Sequence, residues 1–380
     1  MSDWQETTLA NMVHLQRGFD LPSGERVPGP YPILGSAGIS GWHNEGPITG
    51  PGVTIGRSGS SIGKATWHDG PYWPLNTTLF AKDFLGNNPR YIFHLLDSID
   101  FSGHNSGSAQ PSLNRNFISS IHVTAPPIAT QAAIANILGA LDDKIKANNH
   151  TASLIDDLTH AIHSRTLQLA TGAPLPRGWH MGRLSDLCTT QYGYTASSTP
   201  QNVGPRFLRV KDINKNNWIE WDSVPYCEIP QEKIEKYKLS VGDIVVARMA
   251  DPGKSAIIED YENSVFASYL VRLKTESLKH SYFIWGFLKS REYLQYAQST
   301  RSGSVQSNMN AKVITAAELP IPPQEAMDSY IQKIQPLRRK LYSTLAESRT
   351  LAELRDTLLP QLMSGKLRVK DAEKIVEDNV

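Results

Sequence analysis

The sequence predicts an α+β chain built as an internal repeat: two β-rich, mixed α/β globular domains and two long helices, pairing antiparallel as a coiled coil. Two observations predict it. A polar loop, Ser106-Gly107-Ser108-Ala109-Gln110-Pro111-Ser112-Leu113-Asn114, returns as Ser302-Gly303-Ser304-Val305-Gln306-Ser307-Asn308-Met309-Asn310. In the same register Pro126-Pro127 returns as Pro322-Pro323, and Leu138, Leu141, Ile145 and Leu158 fall opposite Ile334, Leu337, Leu341 and Leu354. A self-similarity of this period has to be settled before any local reading. It divides the chain into a first domain (1–125), a helix (126–172), a second domain (173–321), a second helix (322–366) and a charged tail (367–380). One domain before each helix implies pseudo-two-fold symmetry.

Each domain is rich in Gly, Pro and Ser between short β-prone runs, the pattern of short strands punctuated by turns. In the first domain these are Val53-Thr54-Ile55 and Thr77-Thr78-Leu79-Phe80, with a helix near Arg90–Ile99. In the second they are Asp243–Arg248 and Phe266–Leu273, with a stronger helix at His280–Gln298. After each Pro-Pro the apolar spacing changes to alternating threes and fours, the mark of a heptad helix. The first stripe is Ile134, Leu138, Leu141, Ile145, Ala152, Ile155 and Ile162, with Asn148 in the vacant position. The second runs Ile331, Ile334, Leu337 or Arg338, Leu341, Leu345, Ser348, Leu351 or Ala352, and Leu358. Thr171-Gly172-Ala173-Pro174 and Ser364-Gly365 read as the two stops. About 40 residues at about 1.5 Å each make a rod of about 60 Å. The alternative, each helix folded back on its own domain, leaves such a rod overhanging a domain of that size.

The chain is 40% apolar and 20% charged, an ordinary globular composition, with a net charge of +1. Bulk charge therefore does not argue for nucleic-acid binding, and any such claim rests on local patches. No apolar run spans a bilayer, and Met1-Ser2-Asp3-Trp4 does not open a signal peptide. Cys188 and Cys227 read as free thiols of a reducing compartment, so the protein is expected in the cytoplasm.

Upstream of the shared loops the copies agree only in pieces. Trp4 and Leu9 answer to Trp179 and Leu184, and Val53-Thr54-Ile55-Gly56-Arg57 answers to Ile244-Val245-Val246-Ala247-Arg248. The middles, about 16–50 and 191–240, do not align. They are either inserts that read different partners or loops that have drifted. Gly56-Arg57-Ser58-Gly59-Ser60-Ser61-Ile62-Gly63-Lys64-Ala65 fails as a phosphate loop, because Ser58 takes the first glycine position and Ala65 the hydroxyl position. In the second copy Gly253-Lys254-Ser255 regains the serine, but Arg248 stands where the first glycine belongs. Both copies keep an arginine leaving a strand and a Gly-Lys six or seven residues on. Arg57, Ser58 and Lys64, with Arg248 and Lys254, therefore suit contacts to phosphates or a guanine edge, against the alternative of a solvated β-turn. Gln110, Asn114, Gln306, Asn308 and Asn310 offer amides for base edges, or alternatively caps and turns. Arg209 and Lys211, after a short β-prone run, are further basic candidates.

No catalytic constellation emerges. His160 and His163, one turn apart, lack a further ligand and read as a surface pair rather than a metal site. Asn88-Pro89-Arg90-Tyr91 only grazes an amino-methyltransferase signature, and no acidic nuclease cluster is present.

The chain resembles the specificity subunit of Type I restriction–modification enzymes over nearly its whole length. The Ser-Gly-x-x-Gln-x-x-(Leu/Met)-Asn segment, followed by Pro-Pro and a long helix, is similar to the family's recognition domain entering its spacer helix. Pro126-Pro127-Ile128-Ala129-Thr130-Gln131-Ala132-Ala133-Ile134 resembles the family's Pro-Pro-Leu-x-Glu-Gln-x-x-Ile, with Thr130 where Glu is usual. Leu354 to Leu367 is similar to the usual end of the second helix, whereas Pro322-Pro323-Gln324-Glu325-Ala326-Met327 departs from the pattern. The resemblance implies a non-catalytic subunit whose two recognition domains each read half of a split DNA target. It implies two methyltransferase subunits docked on the helices and recognition domains, the helices marked here by Leu138, Leu141, Ile145, Ile155, Ile334, Leu341, Leu345 and Leu358. S-adenosylmethionine would sit on those partners and no cofactor on this chain, with motor-nuclease subunits joining for restriction. A coiled-coil adaptor without DNA contact is the competing reading, and a self-contained nuclease or methyltransferase a third.

Overall fold

A computed structural model of the chain describes residues 3–104, 112–168, 174–260, 263–300 and 309–379. In the first domain the strands are β1 (Gln5–Thr8), β2 (His14–Arg17), β3 (Tyr31–Gly35), β4 (Gly38–His43), β5 (Gly52–Gly56), β6 (Ala65–His68), β7 (Trp73–Pro74), β8 (Thr78–Asp83) and β9 (His122–Ala125). The helices are α1 (Leu9–Met12), α2 (Pro89–Ser98), α3 (Arg115–Ile118) and the long α4 (Ile128–Gln168). Second-domain strands are β10 (His180–Arg183), β11 (Cys188–Tyr192), β12 (Arg206–Leu208), β13 (Ile244–Ala247), β14 (Ser255–Ile257), β15 (Ser264–Phe266), β16 (Leu270–Thr275) and β17 (Glu318–Ile321). With them go α5 (Gln231–Tyr237), α6 (Leu278–Leu288), α7 (Arg291–Ser299), α8 (Ala311–Thr315), the long α9 (Gln324–Met363) and α10 (Val369–Asn379). Contacts divide the chain into two units, 1–148 with 347–380, and 149–346, so each unit holds part of each long helix.

The units share most of their sheet topology, the strand β4 beside β3 having no counterpart among the described residues of unit 2. Unit 1 has a four-stranded antiparallel sheet in the order β2-β8-β5-β6, and unit 2 repeats it as β11-β16-β13-β14. The pair β1–β9 repeats as β10–β17. A parallel pair, β3 with β7, repeats as β12 with β15. This last correspondence lies inside the stretches that do not align by sequence: Ile33-Leu34 and Phe207-Leu208 are only two residues of pattern each. Two expectations are corrected. The helix at His280–Gln298 is two helices, because Ser290 caps a new start by accepting from the Tyr293 N–H at 3.2 Å. The run Phe266–Leu273 is likewise broken at residues 267–269, where Leu270 N–H donates to Ala267 O at 2.9 Å.

Each four-stranded sheet buries one face under a helix. In unit 1, Tyr91, Ile92, Leu95 and Leu96 of α2 join Val53, Ile55 and Leu79 of the sheet, and Ile134, Leu138 and Leu141 of α4 with Leu351, Leu358 and Leu362 of α9 complete the core. The residues taken as a charged tail form α10, whose Val369, Ala372 and Val376 close on this core at helical spacing. In unit 2, Trp285 and Phe283 of α6 meet Ile244, Val246 and Val271 of the sheet and Ile334 of α9.

Within each unit the helix segments run antiparallel. Asp142 pairs with Arg355 and Lys144 with Glu347 in unit 1, and Asp156 with Arg338 and His163 with Tyr330 in unit 2. The heptad phase holds through Leu138, Leu141, Asn148 and Ala152, then changes chemistry. The next buried positions are Asp156, Thr159 and His163, while Ile155 and Ile162 are half-buried and Leu154 and Leu158 are exposed. On α9, Leu341, Leu351 and Leu358 are buried as expected, Arg338 rather than Leu337 takes the seam, and Thr344 displaces the half-buried Leu345. Gly365, in the left-handed region at φ +69°, ends α9 as expected, whereas the first stop at residues 171–173 lies outside the described residues.

Arg338, Asp156 and His163 hold their places in the seam because each finds a partner. The Arg338 guanidinium, wholly buried, donates from Nη1 to Asp156 Oδ1 at 2.8 Å and from Nε and Nη2 to Glu259 at 2.9 and 2.5 Å. It stacks on Trp285 at 4.7 Å, and Asn217 ties in by donating to Asp156 at 2.6 Å. His163 corrects the surface-pair reading: it is buried against Trp285 and hydrogen-bonded to the Tyr330 hydroxyl. The ring comes so close to α6 that a Cβ on Gly286 would stand 2.0 Å from Nδ1. Burial pushes His163 down from the ordinary 6.5 to about 3, with help from the charge of Arg338. His94 in unit 1 falls to about 3 through burial and the charges of Arg90 and Arg355. Neither cysteine is bridged, and burial pushes the Cys188 thiol up to about 12 and Cys227 to about 11.

Arg338→Met, which strands two buried carboxylates, is expected to lose about 3–5 kcal/mol in urea denaturation, and Glu259→Gln in the same chain to return part of it. Both histidines bind their protons more weakly folded than unfolded. Their stabilisation is whole above pH 6.5 and declines toward pH 3, at up to about 1.4 kcal/mol per pH unit for each. Denaturation of His163→Asn over that range should show a shallower slope than the parent.

Candidate nucleic-acid interface

In both units an arginine follows the central strand at the same place in a shared set of backbone hydrogen bonds. Arg57 N–H donates to Thr77 O at 2.8 Å, and its carbonyl accepts from Leu113 N–H at 2.8 Å. Arg248 N–H donates to Tyr269 O at 3.0 Å, and its carbonyl accepts from Met309 N–H at 2.9 Å. The hairpins that follow also match. Gly63 N–H reaches Gly56 O at 2.9 Å and Gly253 N–H reaches Ala247 O at 3.0 Å. Gly56 N–H donates to Lys64 O at 3.0 Å, and Ala247 N–H to Lys254 O at 2.7 Å. Both hairpin glycines lie in the left-handed region, φ +76° and +92°, and a Cβ would meet Phe101 at 2.7 Å or Ala297 at 2.8 Å. The motif is thus a conformationally required hairpin that carries an arginine at one end and a lysine at the other.

The side chains are placed unequally. Lys64 is exposed, while Arg57 is half-buried and reaches Asn76 O from Nη1 at 3.4 Å. Ser58 pairs its backbone with Ser112, closing the arginine strand against the returning loop. Arg248 lies over the Tyr192 ring at 5.0 Å, and Lys254 stands 3.9 Å from Asp251. Asn114 accepts from Asn116 N–H at 3.0 Å and Asn310 from Val313 N–H at 3.0 Å, so both amide oxygens cap the helix turns α3 and α8. Gln110, Gln306 and Asn308 lie outside the described residues. Arg209 is occupied within its domain: Nε and Nη2 grip Asp212 at 2.8 Å each and Nη1 reaches Ser198 at 2.9 Å, while Lys211 is exposed. Of the residues expected on the helices to dock partners, Leu138, Leu141, Ile334, Leu341 and Leu358 are buried within their own unit, and Ile145, Ile155 and Leu345 are half-buried.

The hydrogen bonds reveal further equivalences. Arg17 stands opposite Leu79 as Tyr192 stands opposite Val271, and Gly18 and Gly193 bond to Thr78 O and Leu270 O. Arg17 and Thr77 in unit 1 therefore occupy the places of Tyr192 and Tyr269 in unit 2. The sequence carries no signal for this, because the offset between copies changes at each insert and the paired residues differ in chemistry.

The comparisons with known proteins agree with this duplication. The family model described as "Type I restriction modification DNA specificity domain" matches twice, over residues 1–156 and 176–341, and the chain belongs to that family. The Type I restriction enzyme MjaIX specificity subunit of Methanocaldococcus jannaschii is 22% identical over 327 residues, 78% of this chain and 74% of that one. The MjaVIII specificity subunit of the same organism is 19% identical over 304 residues, 74% of this chain and 71% of its own. A crystal structure of the Type I restriction–modification S subunit from M. genitalium has the same fold, with a TM-score of 0.63 at 15% identity over 95% of this chain and 96% of that one. Among the described residues no helix is long and apolar enough to cross a membrane.

Asn310→Ala is expected to lower stability by about 1 kcal/mol through loss of the cap, and Asn310→Ser to keep it, as thermal denaturation would read. The serine variant then isolates any contribution of the amide to ligand binding.

Proposed function

We propose that the chain reads a bipartite DNA target, one half-site per domain, and presents it to two methyltransferase subunits. The observation that carries this is the arginine–hairpin–lysine frame, built twice to one hydrogen-bond pattern but flanked by different side chains. An arginine fixed by its own backbone suits bidentate reading of a guanine, and a lysine on the hairpin suits a phosphate. Arg57, Lys64, Arg248, Lys254 and Lys211 are the proposed contacts. Ser58, Asn114 and Asn310 shape the surface beside them, Gln110, Gln306 and Asn308 are further proposed contacts, and Arg209 holds its own turn. The subunit is non-catalytic in this reading. S-adenosylmethionine and methyl transfer to adenine belong to the partner, and a motor-nuclease subunit joins for restriction. With the seam residues spent inside each unit, docking falls to the outer helix faces, where Leu154 and Leu158 lie exposed one turn apart. A net charge of +1 suits a subunit whose partners supply much of the phosphate contact.

Exchange of residues 1–125 for another such domain should change one half of the methylated target and leave the other intact. Duplex binding by the chain with its methyltransferase should weaken steeply with salt, and Lys64→Ala should lower the log–log slope by about 1. A slope near zero would favour the adaptor without DNA contact.

A further inference from the structure

We infer that Tyr269 is a specificity-determining residue of the second domain, contacting the bases or sugars next to those met by Arg248. The inference rests on the DNA-reading function proposed above and deepens it. Tyr269 is 57% exposed, among the most exposed large hydrophobic side chains of the described residues. Its backbone is nonetheless held on both sides. Its carbonyl accepts from Arg248 N–H, the preceding Ser268 N–H donates to Tyr194 O at 2.8 Å, and the following Leu270 N–H donates to Ala267 O at 2.9 Å. A large aromatic ring presented from a fixed backbone has few rotors left to order on binding. That combination makes tyrosine an effective contact residue.

The neighbouring Tyr192 has a different part. It is also exposed, but its ring lies under the Arg248 guanidinium at 5.0 Å and its hydroxyl accepts from Ala311 N–H at 3.0 Å. Tyr192 is therefore a positioning residue for Arg248. Tyr269 leaves its ring face for a thymine methyl or a deoxyribose, and its hydroxyl for a base edge. In the first domain the same two places hold Arg17, 3.4 Å from Asp20, and Thr77. The frame is common and its flanks are not, so the flanks are where two readers on one scaffold come to differ.

The test uses the full chain with its methyltransferase partner in a host free of other adenine methylation, with the methylated motif mapped for the parent, Tyr269→Ala, Tyr269→Thr and Arg248→Ala. Tyr269→Ala should relax one or two adjacent positions in a single half of the motif, lowering discrimination there about 5- to 100-fold. The other half should be unchanged, and Arg248→Ala should relax a position in the same half. Tyr269→Thr, carrying the side chain of the first domain, should alter preference at the same positions. An unchanged motif in both tyrosine variants, with Arg248→Ala still relaxing one half, would overturn the inference and leave the bipartite reading standing. Loss of co-purification with the methyltransferase in the tyrosine variants would overturn it in favour of a protein contact. A parent motif that is not split would instead overturn the underlying function.

Discussion

The buried Arg338 guanidinium ties unit 2 together. It joins α9 to Asp156 of α4, to Asn217 of the inserted segment, to Glu259 beyond β14 and to Trp285 of α6. A charge in such a site costs several kcal/mol to desolvate, and the cost is offset only when every donor is matched in good geometry. The network therefore does more for register than for net stability. One turn of slip along the seam would leave Arg338 without Asp156 and Asp156 without Arg338. Unit 1 fixes its register by the same means with reversed polarity. Asp142 stands 196 residues before Arg338, at the equivalent point of the repeat, and takes Arg355 of α9 at 2.9 Å and Arg90 of α2 at 3.3 Å.

Periodicity made the long helices legible, and the repeat made the two sheets legible as copies. Composition could not reveal the second half of the α4 stripe. Hydrophobic spacing points to Ile155 and Ile162, but the buried positions are Asp156, Thr159 and His163. Thr159 is satisfied by the Ile155 carbonyl one turn back, whereas Asp156 and His163 depend on partners 182 and 167 residues away. The break between α6 and α7 has a local cause, since Ser290, within the polar run Lys289 to Glu292, caps a new start. At the candidate site the arginine and the Gly-Lys were legible because they recur. Their flanks were not, because equivalence there lies in which carbonyl receives which N–H, and side-chain identity is free to vary.

The site joins two requirements that usually conflict. Recognition needs side chains that differ between domains, and precise recognition needs them on rigid backbone. Here the rigid part is set by strands, a left-handed glycine and paired main-chain bonds, none of which depends on the residues displayed. The asparagines at 114 and 310 belong to this rigid part, since their oxygens terminate the return loop at a capped helix turn.

The parallel strand pairs carry a consequence for how such a chain changes over generations. From Arg17 to Gly56 the first domain takes 39 residues, and from Tyr192 to Ala247 the second takes 55. Yet Leu34 and Leu208 bond to Leu75 and Ala267 at the same point, each at 2.9 Å. A segment clamped at its middle and both ends behaves as an exchangeable cassette. Its length and lettering can be rewritten between the clamps while the sheet and its main-chain bonds keep their places, and in the second domain Asn217 is the residue through which such a change reaches the seam.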